Sequence, residues 1–198
     1  PKAVYETLQV MNTLQPGLCV LGTRLPGCFN VFEMSVRAVL GQQITVKAAS
    51  TLAARLVAVY GTQVQTGIEG LTHSFPAPAA ILALGENISE HLGKLGIISA
   101  RANTIYQLAR VLADEKNDFG FCGNPEEEMQ KLQAIRGIGS WTAQYIAMRA
   151  MGWPDAFLPT DAGIKKALPD HTPKELQVLS EAWRPWRSYA TVNLWNTL

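Results

Sequence analysis

Apolar residues recur along most of the chain at intervals of three and four. Phe32, Val36, Val39 and Leu40 share one helical face, Leu52, Leu56, Val59 and Tyr60 a second, and Ile105, Leu108, Ala109 and Leu112 a third. A helix turns once in about 3.6 residues, so each set forms a stripe that a core can cover. Gly41, Gly61, Gly96 and Gly152 mark helix ends, and Pro78, Pro125 and Pro173 mark first turns, where a missing N–H costs nothing. No stretch alternates convincingly in the manner of a strand. The pattern predicts an all-α protein of about ten helices, least regular at 61–77 and 116–124, with no internal repeat of fixed period.

One interruption of the helical pattern carries chemistry. Residues 132–143, LQAIRGIGSWTA, read as a helix, a hairpin turned by two glycines, and a second helix starting near Ser140. Such a turn aims several backbone N–H groups from a helix N-terminus in one direction, which makes an anion site. Asp161 follows 20 residues after Trp141, in FLPTD. If the anion is a DNA phosphate, that carboxylate can be held over a sugar–base bond of the same strand. A plainer role for Asp161 is capping the helix that begins at Ala162, and the two roles are compatible.

Composition narrows the class only a little. The 198 residues are 47% hydrophobic and 17% charged, enough for one large domain or two small lobes and too apolar for disorder. A net charge of +1 neither indicates nor excludes nucleic acid, since a hairpin gripping phosphate through main-chain N–H groups needs no lysine surplus. Cys19, Cys28 and Cys122 are too widely spaced for a zinc or iron–sulfur pattern and read as free thiols. His73, His91 and His171 are equally scattered. No apolar run approaches the roughly 20 residues that span a bilayer, and no signal peptide is present, so the chain reads as soluble and intracellular. It lacks an initial Met and stops at Leu198 within a helical pattern, and so reads as an excised fragment.

Four segments keep a familiar order and spacing: 24–50 (RLPGCFNVFEMSVRAVLGQQITVKAAS), 132–152 (LQAIRGIGSWTAQYIAMRAMG), 157–166 (FLPTDAGIKK) and 183–195 (WRPWRSYATVNLW). Together they resemble the helix-hairpin-helix (HhH-GPD) DNA glycosylase superfamily, most closely its bacterial AlkA type, 3-methyladenine DNA glycosylase II. The resemblance implies a two-lobed helical body with a cleft between the lobes. Residues 30–152 would form one lobe, with the helix-hairpin-helix at about 126–151. Residues 153–198 would form the other, with 1–29 packed against it. The mixed α/β N-terminal domain usual in the family is absent from this chain.

The resemblance also assigns roles. Asp161 matches the catalytic aspartate, which would stabilise an oxocarbenium-like transition state and orient water after the nucleotide has been flipped out. Trp141 occupies the position where strand-cutting relatives carry a Schiff-base lysine. That implies a monofunctional enzyme without lyase activity, and Lys165 and Lys166 match no such position. Trp141 and Trp195 match aromatic residues of the base pocket. Their π-faces would favour a cationic base such as 3-methyladenine or 7-methylguanine by about 0.5–2 kcal/mol per contact. Core packing is the plainer role for each, and Trp186 and Tyr189, three apart, read as core. Gly137, Ile138, Gly139 and Ser140 form the phosphate-binding hairpin. Main-chain carbonyls of Gln133, Ile135 and Ile138 match a structural Na+ or K+ site, and no other cofactor is required. Gln43 stands where the AlkA type often places a leucine wedge, with a polar helix-end role as its alternative.

The implied partner is damaged double-stranded DNA, bound by a monomer in the bacterial cytoplasm at the nucleoid, with no membrane. Two other functions share these motifs: a helix-hairpin-helix glycosylase for deaminated bases (uracil or hypoxanthine), and a non-catalytic DNA-binding module.

Overall fold

The computed structural model describes residues 2–114 and 124–198. Cys122 and most of the irregular 116–124 stretch lie outside the described residues. The described helices are α1 (Lys2–Leu14), α2 (Val31–Leu40), α3 (Val46–Tyr60), α4 (Pro78–Leu82), α5 (Ile88–Gly93), α6 (Ser99–Leu112), α7 (Pro125–Gln133), α8 (Ser140–Arg149), α9 (Ala162–Ala167), α10 (Pro173–Ser180) and α11 (Arg187–Trp195). The all-α expectation holds with one addition. Inside the irregular 61–77 stretch, β1 (Thr62–Gln63) pairs antiparallel with β2 (His73–Ser74). Two residues per strand are too few for alternation to register.

Helix boundaries follow local chemistry. Asn30 caps α2 and Thr45 caps α3, each side chain accepting a first-turn N–H. Pro78, Pro125 and Pro173 all lie in the first turns of their helices. Thr172 and Glu175 close a reciprocal capping box on α10.

The chain divides into two compact units: residues 1–27 with 143–198, and residues 28–142. The division falls within α8, whereas the sequence places the lobe boundary at 152. In the 28–142 unit, α6 packs against α2, α4 and α5. Phe32, Val36, Val39 and Leu40 are buried together with Ile105, Leu108 and Ala109, as their spacing predicts. The α3 stripe is rotated from its expected position. That helix buries Ala53 and Leu56, and Val59 is exposed. Its many alanines make several faces nearly equivalent.

The other unit has a core of Leu8, Met11, Leu18, Cys19, Phe157, Ile164, Leu176, Trp183, Ala190 and Leu194, against which Trp186 and Tyr189 pack. The 18–23 segment is tied to α11 where the Val20 N–H donates to Asn193 Oδ1 (2.8 Å). Asp155 is buried and takes both Nε (2.8 Å) and Nη2 (2.9 Å) of buried Arg187, along with Nη1 of Arg184 (2.6 Å). Two bonds from one guanidinium fork give the pair a fixed geometry. This pins the start of α11 to the segment leading towards Asp161.

Candidate functional site

Asp161 stands at the N-cap of α9 in extended conformation. Its Oδ1 accepts the N–H groups of Gly163 (2.9 Å) and Ile164 (3.1 Å). The same oxygen accepts the indole Nε1–H of Trp195 at 2.8 Å. Three donors from two helices therefore fix how the carboxylate is turned. Capping is part of what aims it.

Trp195 closes α11, which packs on α9. Its seat depends on Gly163, because a Cβ there would stand 2.7 Å from Trp195 Cδ1 and 2.9 Å from Nε1. Tyr145 of α8 is the indole's aromatic neighbour, with ring centroids 6.2 Å apart. The structure thus joins Asp161 and Trp195 directly, through a polar bond that the base-pocket expectation did not include. Gly163 and Tyr145 were missed by sequence reasoning. The signal for Gly163 was its place two residues after a capping aspartate.

The 28–142 unit holds the hairpin. Between α7 and α8, Ile135 and Ile138 are buried while Gly137, Gly139 and Ser140 are exposed. The Ile138 N–H donates to the Ile135 carbonyl (3.0 Å), so two buried isoleucines anchor a tight turn. Gly137 has φ +95°, and a Cβ on it would meet Thr104 Oγ1 at 2.0 Å. Thr104 in turn donates to the Arg136 carbonyl (3.0 Å). Gly137 is therefore required by the fold itself. Gly139 is different, for a Cβ there would meet nothing within 4 Å. Its bare backbone leaves open space at the start of α8, where first-turn N–H groups have no partner within the helix.

Gln43 projects from the turn between α2 and α3, exposed and with φ +54°. It is the non-glycine residue with positive φ among the described residues. Its neighbour Gln42 donates from Nε2 to the Gly137 carbonyl (3.0 Å) and to Thr142 Oγ1 (2.9 Å). The expected wedge turn and the expected phosphate turn are thus hydrogen-bonded to each other, which sequence separation concealed.

The remaining expected positions are plainer. Trp141 is the second residue of α8 and half-buried, and Lys165 and Lys166 are exposed on α9. Gln133 ends α7, where the last helical carbonyls lack intrahelical partners. The Ile135 carbonyl accepts one hydrogen bond and has a second lone pair. Oxygen donors of this kind suit a monovalent cation. Among the described residues no group of three or more His, Cys, Asp or Glu side chains could hold a metal. Cys19 is buried, and burial pushes its thiol up to about 11. No helix among the described residues is long and apolar enough to cross a membrane.

The chain is 36% identical over 197 residues to DNA-3-methyladenine glycosylase 2 of Escherichia coli. It is 42% identical over 204 residues to a probable bifunctional transcriptional activator/DNA repair enzyme AlkA of Mycobacterium tuberculosis. Both alignments cover the whole chain, which spans 66% and 40% of those relatives' lengths. The fold matches that of the 3-methyladenine DNA-glycosylase from Archaeoglobus fulgidus with a TM-score of 0.79 at 24% identity, covering 98% of this chain and 68% of that one. A family model matches residues 36–187, and the chain belongs to the HhH-GPD superfamily of base excision DNA repair proteins.

Proposed function

We propose that this chain is a monofunctional DNA glycosylase that hydrolyses the N-glycosidic bond of alkylated purines flipped out of damaged double-stranded DNA. The observation that carries the reading is the Asp161 carboxylate, fixed by Gly163, Ile164 and Trp195 within a chain of this superfamily. Names borne by the relatives of E. coli and A. fulgidus support the choice of 3-methyladenine-type bases.

The reaction breaks the bond from C1′ to the base nitrogen. Both electrons leave with the base, and positive charge builds on the sugar ring. A fixed carboxylate facing that ring stabilises the charge without having to reorganise. It then orients a water whose oxygen bonds to C1′ as the water gives up a proton to that carboxylate. Bases alkylated at ring nitrogens are cationic, so departure neutralises them and no second carboxylate is required as general acid. Trp141 and Trp195 offer π-faces to such a base. The Trp195 N–H is committed to Asp161, so its contribution to the base comes through the ring. Trp141 provides no amine for a Schiff base, and strand cleavage is not expected.

The hairpin Gly137, Ile138, Gly139 and Ser140 grips a phosphate through main-chain N–H groups, and Gln43 fills the gap left by the flipped base. The carbonyls of Gln133, Ile135 and Ile138 would hold Na+ or K+, which supplies positive charge beside that phosphate. The protein acts as a monomer on nucleoid DNA in the bacterial cytoplasm.

The test is incubation with methylated duplex DNA, with free base and strand breaks measured separately. Release of 3-methyladenine and 7-methylguanine without strand breaks is expected. Release from uracil or hypoxanthine duplexes alone would overturn the substrate assignment. DNA binding with no release from any of these duplexes would point to a non-catalytic module.

A further inference from the structure

The turn that carries Gln43 is held at two points, and both holds run through residue 42. The Gln42 side-chain amide donates to the Gly137 carbonyl at 3.0 Å and to Thr142 Oγ1 at 2.9 Å. Its backbone carbonyl accepts a bond from the Arg101 guanidinium of α6. That carbonyl belongs to the peptide plane whose far end is the Gln43 nitrogen. Clamping it restricts rotation about the Gln43 N–Cα bond, the very rotation that stands at φ +54°. An L residue with a side chain enters this region at an energetic cost, and a turn persists there only when its surroundings hold it. Thr142 is 2% exposed and Gly137 is packed on Thr104, so the Gln42 amide is anchored to a rigid part of the hairpin.

We infer that Gln42 is a positioning residue: it locks the Gln43 turn to the Gly137 hairpin, so that phosphate grip and base-gap wedge form one rigid unit. The inference rests on the reading of Gln43 as the wedge and of the hairpin as the phosphate grip. Gln42 touches neither base nor sugar in this scheme. A phosphate seated on the hairpin fixes the DNA register, and the Gln42 bonds carry that register to the wedge. Arg101 holds the same turn through the Gln42 carbonyl.

A double-mutant cycle tests this with Gln42→Ala, Gln43→Ala and the double variant. The readout is the ratio of affinities for a duplex with a tetrahydrofuran abasic-site analogue and for the same duplex intact. A wedge adds affinity only where a gap exists, whereas a phosphate grip serves both duplexes. Gln43→Ala is expected to lower the ratio by about tenfold, and Gln42→Ala by a similar factor, with the double variant no lower than Gln43→Ala alone. Affinity for intact duplex and its salt slope should stay within about twofold of wild type. If Gln42→Ala keeps the wild-type ratio while Gln43→Ala lowers it, or if the two losses multiply, the coupling is overturned and the wedge reading survives. If Gln43→Ala changes nothing, the wedge reading fails and takes the inference with it. Gln42→Met keeps the side-chain length but removes the donor, and must behave like Gln42→Ala. Unfolding midpoints guard against general destabilisation.

Discussion

The bond from the Trp195 indole to Asp161 spans 34 positions and exists only because residue 163 carries no side chain. In local sequence Asp161 is legible as a helix cap, since a short acceptor follows Pro159 and an apolar helix begins after it. Its long-range donor is not legible, because an indole three residues from Val192 looks the same whether it lines a pocket or donates to a carboxylate. Gly163→Ala places a methyl where Trp195 Cδ1 now lies at 2.7 Å, so the indole must withdraw. Losing a hydrogen bond to a charged group costs about 1.5–3 kcal/mol, which corresponds to a fall of about ten- to a hundredfold if the bond matters chiefly in the transition state. Single-turnover base excision is expected to slow by that factor while helical content and DNA affinity stay near wild type. A wild-type rate would mean that the Trp195 N–H does not set the direction of Asp161.

Between helices, the two hairpin glycines are unequal although they look equivalent in the sequence Gly137-Ile138-Gly139. Gly137 faces inward to Thr104 and adopts a left-handed backbone, whereas Gly139 faces open space. A bulky substitution at Gly137 would disturb the protein before it disturbed a ligand. Gly139→Asp instead sets a negative charge where the phosphate is proposed to sit, with no collision inside the protein. It is expected to weaken binding to every duplex by about tenfold and to flatten the dependence of log affinity on log salt by about one ion contact. Salt titrations on damaged and intact duplexes measure both. Equal binding across the salt range would remove the hairpin from the interface. Helix limits were readable from caps and prolines because those signals are local. The buried face of α3 was readable only in part: Leu56 is buried as expected, but Ala-rich turns let Ala53 point inward where Val59 was expected.

At the scale of the molecule, the helical class and the order of the motifs were carried by the sequence, because periodicity and motif spacing are properties of neighbouring residues. What could not be read was which distant groups meet: Gln42 with Gly137, Trp195 with Asp161, and Asp155 with Arg187. Each contact joins segments about 30 to 95 residues apart, and only the folded chain selects such partners. In the proposed reaction Asp161 provides the negative charge against which the sugar–base bond breaks. The most direct measurement is the single-turnover rate of 3-methyladenine release from methylated duplex, wild type beside Asp161→Asn, with DNA affinity recorded in parallel. The asparagine keeps the cap's acceptor oxygen and removes the charge. Retained binding to damaged DNA and a loss of about a hundredfold or more in release rate are expected. Release by Asp161→Asn at the wild-type rate would remove Asp161 from that role.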